Sequence, residues 1–171
     1  LVRSRGLGDV YKRQITHNAS KTVGGSPNSK HRYGMAADWR MVNRSINPVA
    51  LGIIATQYFK AVGIYWYDGC AIVHTDTRDA KATWLCDAPR HYPSTTYQKF
   101  ILPTIRRGCT GDANRAATKM LQRLLGLTPD GIFGEGTENA LLKAQEAHGL
   151  AVDGICGPAS WKAISGASKY L

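Results

Sequence analysis

Two stretches in the last third of the chain, Gly126–Thr137 (GLTPDGIFGEGT) and Gly149–Ser160 (GLAVDGICGPAS), align residue for residue at an offset of 23. Each copy is a Gly-Leu helix exit, an Asp-Gly turn (Asp130-Gly131, Asp153-Gly154), an apolar pair and a glycine ahead of the next helix. The glycines supply the left-handed backbone that such turns require, and Thr137 or Pro158 is suited to open the helix that follows. Two copies make a pair of matched turns, too few for a solenoid. The preceding helix, near Asp112 to Leu125, places Ala117, Met120, Leu121, Leu124 and Leu125 on one face. The spacing therefore predicts an all-α three-helix bundle over residues 105–171, close to the lower size limit for a unit that folds alone.

Upstream the pattern changes to α+β. A strand is expected around Ala36 to Val42, then a helix entered through Asn47 as N-cap with Pro48 at its first position and running to about Val62. The β-branched run Ala71 to Thr77 and a second run, Ala82 to Cys86, read as strands on either side of a turn at Arg78 to Lys81. The expectation is a small antiparallel sheet over residues 15–88. Residues 89–104, with several prolines and no sustained periodicity, read as the linker to the helical unit. Residues 1–14 (LVRSRGLGDVYKRQ) have neither a Met nor an apolar h-region and resemble read-through of a sequencing adapter. They are set aside as a non-native segment, and the sheet domain is expected to be truncated at its N-terminus.

Charge and cysteines narrow the class. The formal net charge is +10, of which residues 1–14 contribute +3 through Arg3, Arg5, Lys12 and Arg13 against Asp9. The remaining excess suits an anionic wall rich in carboxylates and phosphates. It is spread without a run of like charges or a basic helix with interleaved aromatics, so nucleic acid is not the expected partner. No apolar stretch is long enough to cross a membrane. Cys70, Cys86, Cys109 and Cys156 show no C-x-x-C spacing, so a cysteine zinc site is not supported and buried free thiols are expected; Cys70 and Cys86 flank the supposed hairpin and could approach across it, in a register that the sequence does not fix.

The residues that carry chemistry lie in Ser29-Lys30-His31-Arg32-Tyr33-Gly34-Met35-Ala36-Ala37-Asp38 and in Val73-His74-Thr75-Asp76-Thr77-Arg78. Singly, a His or an Asp says little. Together, two imidazoles and a carboxylate are a sufficient donor set for a catalytic zinc with a fourth position left for water. A metal in such a site lowers the pKa of bound water and polarises an amide carbonyl, so no nucleophilic side chain is needed.

The pattern S-x-H-x-x-G-x-A-x-D followed by V-H-x-D-x-R resembles the M15 family of zinc D-Ala-D-Ala peptidases, in the branch with a His-x-Asp third motif, over about Asn18 to Trp84. The resemblance implies Zn2+ as cofactor, with His31, Asp38 and His74 as ligands. It further implies that Ser29 and Gly34 shape the intervening loop, that Asn18 and Val23-Gly24-Gly25-Ser26 belong to the same site, and that Arg78 anchors Asp76 or a substrate carboxylate. Family members carry a basic carboxylate three residues before the last ligand, where this chain has Ala71. Residues two apart on a strand share a face, so Asp76 is the expected catalytic base or partner of His74, with Asp68 in reserve. The family's substrate-binding arginine falls near Arg13.

The helical unit, through Leu121-Gln122, the two DGI-x-G turns, Ala144-Gln145 and Trp161, resembles the peptidoglycan-binding-domain-1 family. The combined expectation is a monomeric peptidoglycan hydrolase, secreted or released by a phage in the manner of an endolysin. It would cut a stem-peptide amide as a carboxypeptidase or endopeptidase, held on the wall by its C-terminal module. The competing expectation is a non-catalytic peptidoglycan-binding protein with an inactive peptidase domain.

Overall fold

A computed structural model describes residues 10–13, 29–41, 46–95 and 101–171. Its first part is α+β and its second is helical. Among the described residues the strands are β1 (Val10–Arg13), β2 (Ala36–Met41), β3 (Ala61–Tyr67), β4 (Cys70–Asp76), β5 (Ala82–Cys86) and β6 (Ser94–Thr95), in the spatial order β1-β2-β4-β3-β5-β6. The helices are α1 (Pro48–Ala55), α2 (Asp112–Leu124), α3 (Glu135–Ala147) and α4 (Pro158–Ser165), with short 3-10 turns at Lys30–Tyr33 and Ala167–Lys169.

Several sequence expectations change here. The helix after Asn47 stops at Ala55 rather than near Val62, because the apolar run breaks at Gln57–Lys60 and the next seven residues, AVGIYWY, form β3. The hairpin is β3–β4 across Asp68-Gly69, with Gly69 at φ +77° supplying the turn. Residues Thr77–Lys81 are therefore not a hairpin. They pass the start of β3, so that β5 pairs with β3 in parallel and the sheet is mixed, not antiparallel. With β3 between them, Cys70 and Cys86 are two strands apart, about 10 Å by ordinary strand spacing, and all four cysteines are free. Residues 10–13, set aside in the sequence reading, pair with the edge of β2.

Helix α1 is apolar all round, and every residue of it is buried. One side packs on the sheet, where Gly52 lets α1 approach so closely that an added Cβ would lie 2.6 Å from Ile64. The other side meets the C-terminal helices: α1 contacts α4 and the final 3-10 turn. Asn47 joins the two, since its Oδ1 caps α1 by accepting from the Ala50 N–H at 2.9 Å while its Nδ2 donates to the Ser165 carbonyl at 2.8 Å. The segment expected as a linker does more than connect. It supplies β6, and its Ile101 and Leu102, with Ile105 just beyond it, enter a core that runs unbroken from Val62, Ile64 and Val73 of the sheet to Met120, Leu141 and Trp161 of the helices. Ion pairs from Asp87 to Lys119 (2.8 Å) and from Asp68 to Arg123 (3.1 Å) cross the same boundary.

The three helices predicted from the repeat are present, and the repeat is a repeat of hydrogen bonds. Buried Gln122 donates through Nε2 to Asp130 (2.7 Å), the Ile132 carbonyl and Thr137, and accepts from the Gly131 N–H at 2.9 Å. Buried Gln145 does the same 23 positions later, with Asp153 (2.9 Å), Ile155, Ser160 and Gly154. Each glutamine thus fastens one Asp-Gly turn to the helix before it. Thr137 is spent on this network, and α3 begins two residues earlier.

Candidate metal centre

A single row of register partners builds the site: Asp38 on β2 faces His74 on β4, His74 faces Gly63 on β3, and Gly63 faces Trp84 on β5. Directly opposed residues in a sheet project to the same face, so these side chains share one surface. The opposite face, with Val62, Ile64, Val73 and Leu85, is the core packed against α1. His31 comes from the 3-10 turn before β2, which closes at Gly34 in the left-handed conformation with its N–H donating to the His31 carbonyl.

Three donor atoms converge there. His31 Nε2 lies 3.2 Å from Asp38 Oδ1 and 3.1 Å from His74 Nδ1, and His74 Nδ1 lies 2.9 Å from Asp38 Oδ1. Ligands of a tetrahedral zinc at its usual bond lengths stand about 3.3–3.4 Å apart, so this triangle fits such an ion to within a few tenths of an ångström. The donor chemistry, two imidazole nitrogens and one carboxylate oxygen, also suits that metal. Among the described residues these three form the one group of His, Cys, Asp or Glu side chains able to hold an ion.

Electrostatics prepare the triangle. Burial works against ionisation of Asp38, but hydrogen bonds from His31 and His74 outweigh it and hold the carboxyl well below the usual range. Burial alone would lower the His74 pKa; its bonds to Asp38 and Asp76 raise it instead. Asp76 is likewise held low despite its burial, by His74 and Arg78. An ionised Asp76 can only accept, so the contact from His74 Nε2 at 3.1 Å places a proton on that nitrogen. The other nitrogen of the ring, Nδ1, faces Asp38 at 2.9 Å and donates to that carboxylate when the ring is protonated; a metal ion held by the triangle would take the place of that proton.

That arrangement moves Asp76 away from the role of base. Its side chain is fully enclosed, Arg78 Nε donates to both of its oxygens at 2.8 and 3.0 Å, and it sits beyond the far edge of the His74 ring. A base must come within about 3 Å of the water that it deprotonates, and both Asp76 oxygens are committed behind the imidazole. Asp68 is at the β3–β4 turn, nearly fully exposed and paired with Arg123, remote from His74 along the strand. Ala71, three residues before His74, is exposed. Arg78 both clamps Asp76 and lines a cleft of about 450 Å³ with Lys30, Tyr33 and Met35, next to the turn that carries His31. Ser29 precedes that turn, its carbonyl accepting from the Arg32 N–H. Asn18 and residues 23–26 lie outside the described residues, as does the side chain of Arg13.

The sequence reading passed over Trp84 and Tyr65. The Trp84 indole packs on His74, with ring centroids 5.2 Å apart, and donates from Nε1 to the Tyr65 hydroxyl at 2.9 Å. A glycine amid β-branched and aromatic residues in a strand was the available signal, since it marks a place where something approaches closely. Cys86 shares this face, but burial pushes its thiol up to about 11, which removes it as a nucleophile near neutral pH.

No curated protein and no solved structure matches the chain. Residues 110–164, about a third of the chain and separate from the triad, match the family described as putative peptidoglycan binding domain. The helical unit is thus similar to that family, a likeness that points to peptidoglycan and the cell wall.

Proposed function

We propose that the chain is a zinc-dependent peptidase acting on the stem peptides of peptidoglycan. The observation that carries this reading is the convergence of His31 Nε2, Asp38 Oδ1 and His74 Nδ1 in a triangle of 2.9–3.2 Å on one face of the sheet. The binding-domain match on residues 110–164 supports the wall as the place of action. Zinc, when held by these three residues, would supply Lewis acidity and an activated water. The protein's own part is positional: Asp76 orients His74, Arg78 fixes Asp76, and the cleft of Lys30, Tyr33, Met35 and Arg78 presents the Lys30 ammonium to an anionic peptide.

A second reading, a peptidoglycan-binding protein without catalysis, is favoured by one observation: among the described residues, none of Asp76, Asp68 or Ala71 offers a free carboxylate beside the triad. The test is metal content and release of D-alanine or cleaved stems from purified peptidoglycan, by the chain and by His74→Ala. One equivalent of zinc with release that the substitution abolishes supports the peptidase. Sedimentation with peptidoglycan without zinc or release leaves the binding reading.

A further inference from the structure

The row that carries Asp38 and His74 continues through Gly63 to Trp84. His74 and Trp84 are on strands separated by β3, so their backbones are about 10 Å apart by ordinary strand spacing. Their rings come together because the indole passes over Gly63. A Cβ at position 63 would fall 2.2 Å from Trp84 Cε2 and 2.4 Å from its Nε1, so no other residue leaves the ring where it is. Three contacts hold the indole in place: the His74 imidazole, tilted at 46° to it with ring centroids 5.2 Å apart, the Tyr65 hydroxyl on its N–H at 2.9 Å, and the Arg78 guanidinium 5.6 Å from its centre. The ring of Tyr65 stands edge-on to it at 6.5 Å and 88°.

We propose that Gly63 and Trp84 are positioning residues of the metal centre: the absent side chain at 63 admits the indole, and the indole fixes the plane of His74 so that Nδ1 points at His31 and Asp38. His74 is then held by Asp76 at Nε2, by the His31 ring in an edge contact at 4.8 Å, and by the tilted Trp84 indole at 5.2 Å. Because Arg78 rests on the same indole while clamping Asp76, displacement of Trp84 loosens the imidazole and its anchor together. The inference rests on the metal reading above only where zinc is the readout; the packing of His74 is independent of it.

The experiment compares the full chain with Gly63→Ala, Trp84→Ala and Trp84→Phe. Two quantities are read: zinc affinity by competition with a chromophoric chelator, and the ring-proton NMR resonances of His74 in metal-free protein, assigned by their loss in His74→Gln. Gly63→Ala and Trp84→Ala are expected to weaken zinc binding about 10- to 100-fold, the usual cost of losing support behind a ligand. Both are expected to abolish the indole ring-current shift on His74. Trp84→Phe, which keeps an aromatic face, should restore most of the affinity. Folding is checked by far-UV circular dichroism, and if Gly63→Ala does not fold, Trp84→Ala decides. A folded Trp84→Ala protein that binds zinc within twofold of the parent, or whose His74 resonances are unmoved, overturns the proposal. If the parent itself takes up no zinc, the metal reading fails, and the NMR comparison still supports or overturns the positioning of His74.

Discussion

Replacing Asp87 by Asn tests whether sheet and helices unfold as one body. The Asp87 side chain is 3% exposed and holds Lys119 at 2.8 Å on the opposite unit, together with His91 four residues on. Breaking a fully buried pair costs about 3–5 kcal/mol because the remaining charge is stranded. Here Lys119 is 23% exposed and can regain water, so the loss should be smaller, about 2 kcal/mol. For a chain of this size that lowers Tm by about 4–8 °C. Urea titrations of the parent, Asp87→Asn, Lys119→Met and the double variant would measure it, and the cycle should return a coupling of about 1 kcal/mol. The pH dependence has a definite sign. Burial opposes ionisation of Asp87, yet Lys119 and His91 hold its carboxyl below the usual range. The contribution is therefore complete above the unfolded carboxyl value near 3.9 and disappears as pH falls through the lower folded value. The gap between parent and Asp87→Asn should be full at pH 7 and should close on acidification below about pH 4. Two separate unfolding transitions, or a coupling below about 0.3 kcal/mol, would refute the single shared core.

The remaining expectations are more local. Gln122→Ala and Gln145→Ala each strand a turn N–H and the acceptors around it, so each should cost about 2–4 kcal/mol, and the two costs should agree to within about 1 kcal/mol in urea unfolding. Gly52→Ala gains helix propensity but sets a methyl 2.6 Å from Ile64, for a net loss of about 1–2 kcal/mol that Ile64→Val should partly relieve in thermal melts. Zinc affinity should weaken as pH falls, because protons compete for the two imidazoles. The raised pKa of His74 means that competition at this ligand begins above the ordinary histidine range, and chelator titrations from pH 5 to 8 should show affinity rising throughout.

Features set by neighbouring residues were legible in the sequence. The Asp-Gly turns need their glycines locally, so the repeat at 126–160 and its three helices could be read directly, as could the Asn47 cap of α1. His31, Asp38 and His74 were picked out by their residue types in combination and by the resemblance of the surrounding motifs, and their convergence depends on the pairing of β2 with β4. What could not be read depends on partners distant in sequence. The parallel pairing of β5 with β3 is a choice between two sheet neighbours that periodicity does not distinguish. β3 was concealed because Gln57 and Lys60 interrupt an apolar run without ending it and because Gly63 weakens the strand pattern; only Trp84 lying across it explains that glycine. Likewise, Ile101, Leu102 and Ile105 sit among prolines in the sequence, and their burial depends on helices that follow them.

Helix α1, sheathed on one side by strands and on the other by α4, alters what anchoring to a wall would accomplish. A binding domain on a flexible tether lets its partner sample a sphere whose radius the tether sets, and every bond within reach is equally available. A domain seated on the far side of a shared helix works like a vice on a bench. Wherever it grips the polymer, the triad is carried to one fixed offset and heading from the grip. Such a chain would select bonds by the periodic geometry of the wall as well as by their chemistry, and would leave scars at regular spacing where a tethered enzyme leaves them at random.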